Sequence, residues 1–210
     1  MFDTPLLLAK NEGLTFDQRL AKRVLDLVVS IIALVITSPV MLVIAIAIKA
    51  YDGGPVFFVQ DRCTINGKVF KIHKFRSMIE NAEKDGEVIP ATDDDARITP
   101  VGKIIRKTRL DELPQFFDIL IGNMSVVGPR PERVEHVEKY VEEVPEFTYR
   151  MKVKGGLTGY AQIYGKYNTS AYDKLKLDLM YIQNYSILLD LRLILMTVKI
   201  MFIKDSTEGF

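Results

Sequence analysis

Three short clusters in this chain combine cations and carboxylates in ways that suit phosphate chemistry. The first is Arg106-Lys107-Thr108-Arg109-Leu110-Asp111-Glu112-Leu113-Pro114-Gln115. Pro114 is tolerated in a first helical turn, and Phe116–Leu120 continues a helical pattern. That places Asp111 and Glu112 near a helix N-terminus, where the backbone dipole favours carboxylates and phosphates. An ionised Asp beside cations and a divalent metal can attack phosphorus. Helix capping with solvated charge is the competing reading. The second cluster, Lys74-Phe75-Arg76-Ser77-Met78, offers two cations after a strand-like run. Arg76 can bind phosphate oxygens through a two-pronged fork; a plain surface pair is the alternative. The third, Gly128-Pro129-Arg130-Pro131-Glu132, fixes the backbone on both sides of one guanidinium. Either Arg130 clamps a phosphate, or it salt-bridges Glu132 in a rigid turn.

Other chemistry is thinly represented. The Walker, dinucleotide, nucleophile-elbow and zincin motifs are all missing. Asp93-Asp94-Asp95 contains an Asp-x-Asp spacing able to hold a metal–nucleotide pair, although acidic loops are common. One cysteine, Cys63, excludes a disulfide scaffold, and one Cys with two His excludes an ordinary zinc site. Cys63 and His73 read as packing residues, and His136 as a solvated one. With 28 basic and 27 acidic residues the net charge is +1, so nucleic acid is not the expected partner.

The elements that must position these clusters follow from patterning. The 210 residues are 48% hydrophobic, with a mean hydropathy of +0.10. Much of that comes from Val24–Ile48, whose only formal charge is Asp26. About 20 apolar residues suffice to cross a bilayer core. Arg19, Lys22 and Arg23 precede the run and Lys49 follows it, so charge gives no clean orientation. Thr37-Ser38-Pro39 lies at its middle, where Pro39 removes a backbone donor and predicts a kink or break. A helix dipping in and returning by the same face, and a kinked spanning helix, both satisfy this pattern.

Around that segment, Met1–Leu14 reads as a peripheral arm or the remnant of a longer chain. Thr15–Arg23 reads as an amphipathic lead-in capped by Thr15. Val56–Gln60 and Val69–Lys74, separated by Asn66-Gly67, predict a β-hairpin. Glu80–Asp95 reads as a loop, Val101–Leu110 as an interfacial helix, and Glu132–Val144 as a charged helix stopped by Pro145. Lys154–Gly159 reads as a turn, Tyr160–Tyr164 as a strand, Ala171–Tyr185 as a helix. Three charges within Ile187–Ile203 favour a core or interfacial helix over a second span. The expected division is 1–23 arm and lead-in, 24–49 membrane helix, and 50–210 catalytic domain. The expected fold class is α+β: a mainly helical small domain with a short β-hairpin.

Taken in order, the motifs resemble the bacterial sugar transferases of the monotopic polyprenyl-phosphate phosphoglycosyl transferase superfamily. The resemblance runs over residues 17–200. It begins at Ser38-Pro39 and continues through Gly54-Pro55-Val56-Phe57-Phe58, Gln60-Asp61-Arg62, Lys74–Met78 and Arg97-Ile98-Thr99. Leu110–Gln115, Asn123–Glu132, Gly156–Gln162 and Leu177–Tyr181 complete it. Two departures stand out. Gly155-Gly156 replaces the family's usual Pro-Gly, and Tyr164-Gly165-Lys166 replaces Asn-Gly-Arg.

The resemblance implies transfer of a sugar-1-phosphate from a UDP-sugar to polyprenyl (undecaprenyl) phosphate, with release of UMP, as the first membrane step of polysaccharide or glycoconjugate assembly. It implies Mg2+ as cofactor, Asp111 as nucleophile and Glu112 as its partner in metal binding. Lys74, Arg76, Arg106 and Arg130 become phosphate-binding candidates, with Asp178 at the edge of the site. It also implies a re-entrant helix broken at Ser38-Pro39, interfacial amphipathic helices, contact with membrane lipid, and a catalytic domain on the cytoplasmic face of the bacterial inner membrane. A second copy of the chain is a further candidate partner. Two other readings remain open. One is a membrane-anchored nucleotide-sugar glycosyltransferase that releases UDP and uses Asp93 and Asp95. The other is a non-enzymatic membrane tether.

Overall fold

The computed structural model describes residues 13–80, 82, 95–165 and 169–201. Its first element, α1 (Phe16–Asp52), is a single helix of 37 residues. Thr15 caps it: its hydroxyl accepts from the Gln18 N–H, and the Gln18 side chain accepts from the Thr15 N–H, a reciprocal capping box. The lead-in and the apolar segment are therefore one element, and the helix continues through Pro39 instead of ending there. Proline cannot donate to the Val35 carbonyl four residues back. Ser38 Oγ donates to that carbonyl instead, at 2.9 Å, and Thr37 Oγ1 donates to Ala33 at 2.7 Å. The polar pair ahead of Pro39 thus repairs the ladder that the proline interrupts.

One stripe of α1 is buried against the rest of the chain. Lys22, Asp26 and Ser30, four residues apart, are buried near its start, and Met41, Ile44 and Ile48 near its end. Between and around them Ile31, Ile32, Val35, Ile36, Leu42 and Val43 are each more than half exposed. A long apolar helix with so much exposed aliphatic surface suits association with a membrane.

The expected hairpin is present as β1 (Phe57–Cys63) and β2 (Val69–Phe75), antiparallel, with Phe57 opposite Phe75 and Cys63 opposite Val69. Asn66 and Gly67 both take positive φ at its turn, 56° and 71°. Helix α2 (Pro100–Lys107) follows, capped by Thr99, which accepts from the Gly102 N–H. A 3-10 turn, Leu110–Glu112, leads into α3 (Gln115–Leu120). His73 joins hairpin to helix: its N–H donates to the Asp118 carboxylate at 2.9 Å, and its Nδ1 pairs with the other oxygen at 2.8 Å.

Two three-residue strands, β3 (Ser125–Val127) and β4 (Gly156–Thr158), pair in parallel. Between them lie α4 (Val134–Glu143) and a 3-10 segment, Pro145–Lys152, so Pro145 begins a tighter helix as well as ending α4. The last elements are α5 (Tyr160–Tyr164), α6 (Ala171–Gln183) and α7 (Ile187–Met201). The strand expected over Tyr160–Tyr164 is thus a helix; Gly159, with its extended backbone, marks the switch after β4. Five residues of aromatic and apolar character do not distinguish the two periods.

The main core gathers Ile119, Met124, Val127, Phe147, Leu175, Leu179, Tyr181 and Leu193. A second cluster packs Met41, Ile44 and Ile48 of α1 against Phe75 and Ile105. On α7, Leu188, Leu191, Leu195 and Val198 are exposed while Asp190 and Leu193 are buried, the pattern of an interfacial helix.

Candidate active site

The carboxylate pair sits on a tightly wound stretch. Arg109 adopts a left-handed conformation (φ 56°, ψ 18°), which costs a non-glycine residue about 1 kcal/mol. The chain reverses there into the Leu110–Glu112 turn, and Pro114 then starts α3. Backbone strain next to candidate chemistry suits a functional site.

Glu112 is held from two sides. Lys74, at the end of β2, donates to Glu112 Oε1 at 2.6 Å, and Arg130 Nη2 donates to the same oxygen at 3.0 Å. The three sequence clusters therefore converge on one atom. Burial alone pushes the Glu112 carboxyl up, but the two cations override it and hold Glu112 well below the usual carboxylate range. Asp111 behaves oppositely. Burial, reinforced by the neighbouring Glu112 charge, raises it to about 6 against the pull of Lys74. Adjacent carboxylates are thus split into a fixed anion and a more basic one, as a division of catalytic roles requires. No described residue donates a hydrogen bond to the Asp111 side chain.

The loop carrying Arg130 is placed by close backbone packing. Gly128 N–H donates to the Thr158 carbonyl and Gly156 N–H to the Pro129 carbonyl, both at 2.8 Å. A Cβ on Gly156 would lie 2.1 Å from Gly128 N, so only glycine permits this approach. Behind the loop, Arg150 donates to the Arg130 carbonyl at 2.9 Å and to Asp178 at 2.7 Å. Arg62 adds a third support by donating to the Pro131 carbonyl at 3.1 Å. Burial, then the neighbouring Arg130 charge, pulls Arg62 down to about 10.

The remaining candidates are placed differently. Arg76 is buried and pairs with Asp52 at the end of α1, so it braces the long helix. Arg106 is exposed on α2 and acts on Asp111 only through its charge. Asp178 is buried under Arg150 and positions the Arg130 loop from behind. Arg62 and Arg150 were missed by sequence reasoning. Arg62 stood within a quoted motif without a role, whereas Arg150 lies in a segment with no motif at all. Asp95 is taken by Arg97, which donates to it at 2.6 Å and 2.9 Å. Asp93, Asp94 and Lys166 lie outside the described residues.

A cleft of about 900 Å³ opens beside the site. Its lining joins the charged Arg109, Glu112 and Arg130 and the polar Thr158, Gln162 and Thr197 to apolar side chains such as Val29 of α1, Phe116 and Ile194 of α7. A mostly apolar lining that also carries two guanidinium groups suits an amphiphile with an anionic head.

Among the described residues no group of three or more His, Cys, Asp or Glu gathers as a metal site. Magnesium does not require one. It is commonly held by one or two carboxylates plus substrate phosphates, and Asp111 with Glu112 provides that donor set.

The profile of the bacterial sugar transferases matches residues 17–204. A UDP-glucose:undecaprenyl-phosphate glucose-1-phosphate transferase of Klebsiella pneumoniae is 46% identical over 211 residues, 98% of this chain and 43% of that protein. The enzyme of the same name from Escherichia coli K12 is 42% identical over 203 residues, 94% of this chain and 42% of its own length. The chain thus spans less than half the length of these relatives. An uncharacterised sugar transferase of Bacillus subtilis, EpsL, is 37% identical over 187 residues, 89% of this chain and 90% of that one. A family match over residues 17–204 places the protein among the bacterial sugar transferases.

Proposed function

We propose that this chain moves a sugar-1-phosphate from a UDP-sugar to a polyprenyl phosphate such as undecaprenyl phosphate, releasing UMP. The observation that carries the reading is the cleft joining Arg109, Glu112 and Arg130 to an apolar wall. A soluble nucleotide sugar needs only the charged groups, whereas a lipid phosphate needs the apolar ones as well. The names of the Klebsiella and Escherichia relatives point to the same pair of substrates.

In this reading an ionised Asp111 oxygen attacks the phosphorus that bears the sugar. The bond from that phosphorus to the bridging oxygen breaks, and UMP leaves with the electron pair. A phosphate oxygen of the polyprenyl acceptor then attacks the same phosphorus and frees the Asp111 carboxylate. One phosphorus is transferred twice, so a single site serves both substrates in turn. Lys74 and Arg130 hold Glu112 as a fixed anion beside the reacting group. Asp111 and Glu112 would hold Mg2+, which when bound neutralises charge on the phosphate oxygens.

The same reading makes α1 re-entrant. A helix of 37 residues is about 55 Å long when straight, longer than the roughly 30 Å bilayer core. Both its halves nevertheless pack on one domain: Lys22 reaches Asp190 and Tyr181, while Ile48 packs with Phe75 and Ile105. A spanning helix would separate those ends across the bilayer. Residues 24–49 then dip into the cytoplasmic leaflet of the inner membrane, and 50–210 form the catalytic domain on its cytoplasmic face. The glycosyltransferase reading lost support when Asp95 proved to be paired with Arg97. Mixing the solubilised protein with Mg2+, undecaprenyl phosphate and a panel of UDP-sugars decides between them. UMP release with one donor supports phosphosugar transfer; UDP release sinks it.

A further inference from the structure

A second pocket, of about 740 Å³, lies beside the first turns of α1 and is lined by Arg19, Arg23, Lys152 and Lys154. The carboxylate that lines it, Asp26, turns Oδ1 to Ser125 Oγ (2.9 Å) and the Val126 N–H (2.8 Å). Lys22 also borders the pocket, but Asp190 neutralises it at 2.7 Å. Arg19, Arg23 and Lys154 therefore border one occupied carboxylate, with Lys152 lying over the Tyr149 ring beside them.

Two of these cations converge. A point beside Gly122, where a Cβ would sit, lies 3.5 Å from Arg23 Nη2 and 3.6 Å from Lys154 Nζ. Arg23 is pinned there because it donates to the Ile119 and Leu120 carbonyls, both at 2.7 Å, at the end of α3. Those partners carry only partial charge, and Lys154 has no ion-pair partner among the described residues. Burial, then the Arg23 charge, makes Lys154 hold its proton less tightly than an ordinary lysine. Like charges held together around a single occupied carboxylate form a site that favours an anion.

The surroundings select the kind of anion. Ile121, next to Gly122, is 66% exposed, and Phe117 on the preceding turn is 49% exposed. On α1, Leu20 and Val24 on either side of Arg23 are likewise more than half exposed. The cations thus lie where α1 passes from charged to apolar, with hydrocarbon surface on both flanking helices. That is the depth and composition of a lipid headgroup contact. We propose that Arg23 and Lys154, with Arg19 and Lys152 around them, bind the phosphodiester of an anionic membrane phospholipid at a site separate from the catalytic cleft.

The test uses the full chain in nanodiscs containing equal phosphatidylglycerol and phosphatidylcholine, with retained lipid read by native mass spectrometry. The wild type should retain phosphatidylglycerol preferentially. Lys154→Gln should lower that preference about fivefold, the effect of one lysine near a charged bilayer surface. Lys154→Arg should keep it, and so should Lys103→Gln, which removes a cation on the distant α2. Unfolding temperatures verify that each variant is folded. Equal retention of both lipids by the wild type would overturn the proposal, as would equal losses in Lys154→Gln and Lys103→Gln. Inorganic phosphate at millimolar concentration should not displace the lipid; full displacement would mean a free-phosphate site and overturn the lipid assignment. Undecaprenyl phosphate displacing phosphatidylglycerol from this pocket would likewise overturn it, by making the pocket part of the acceptor path.

Discussion

Arg150 Nε lies 2.7 Å from the Asp178 carboxylate, and both side chains are almost wholly buried. The pair matters to the active site because Arg150 also donates to the Arg130 carbonyl. Asp178→Ala would leave the buried guanidinium with only Glu132, 3.9 Å away, as counter-charge, a loss of about 3 kcal/mol. Arg150→Lys keeps the charge but cannot reach both partners in one fixed fork. The expected result is a modest fall in unfolding temperature with a turnover drop of about tenfold. Turnover falling only in proportion to the folded fraction would remove Arg150 from site positioning.

Asp111→Asn removes the carboxylate that the proposed mechanism uses to form the acyl-phosphate. Turnover should be abolished, and no phosphosugar should be retained on the chain. Normal turnover would end the nucleophile assignment. The same substitution should stabilise the protein. A carboxyl raised to about 6 is destabilising once ionised, by about 3 kcal/mol at pH 7. Unfolding midpoints of the two proteins at pH 7 measure this.

The pH dependence follows from the same shift. Asp111 attacks only when ionised, so the rate of UMP release should fall as pH drops below about 6, while Glu112 stays charged throughout. The stability contribution has the opposite sign. Between about pH 4 and 6 the folded chain holds a proton that the unfolded chain has released. The stability contributed by Asp111 is therefore present at pH 4 and lost as pH rises through 6. The Asp111→Asn variant should lack that slope. A rate that stays level to pH 5 would argue against Asp111 as the reacting group.

Ile194→Trp tests the apolar wall. A larger side chain there should obstruct the cleft without touching the carboxylates. One equivalent of UMP should still appear in a burst, while transfer to polyprenyl phosphate falls at least tenfold. Loss of the burst together with transfer would place the donor, not the acceptor, along that wall.

Pro39→Ala restores the N–H that Val35 lacks and makes the Ser38 hydroxyl redundant. A straighter α1 should shift some chains toward a spanning form. Cysteine labelling at the N-terminus, from each side of oriented vesicles, reads this directly. Unchanged accessibility would assign topology to the packing of Lys22 and Ile48 instead of to the proline.

Legibility of the fold tracked the range of the physics involved. The Thr15 cap, the Asn66-Gly67 hairpin and the helices over Ala171–Gln183 and Ile187–Met201 depend on neighbours in sequence, and all were readable. The β3–β4 pair was not, because three-residue strands are too short to show alternation. Convergence of Lys74 and Arg130 on Glu112 was open only to resemblance, since no spacing rule links residues so far apart. Arg76 and Asp178 show the limit of reading by residue type. An arginine in a basic motif and an aspartate on a helix look alike whether they face a ligand or brace a loop.

The bond between Lys22 and Asp190 joins residues 168 positions apart, nearly the whole chain. During synthesis the helix is made first, and its partner emerges on the order of ten to thirty seconds later. Until then Lys22 has no counter-charge from Asp190, and Tyr181, its other partner, is also still unmade. Lys22 must therefore stay solvated among headgroups at the bilayer surface until residue 190 has emerged. A chain stopped short of Asp190 would carry the carboxylate site on a helix held by Arg23, Asp26 and Ile48, with Lys22 left without its buried partner. Quality control in the cell would meet it as a membrane-bound fragment, not as a soluble one.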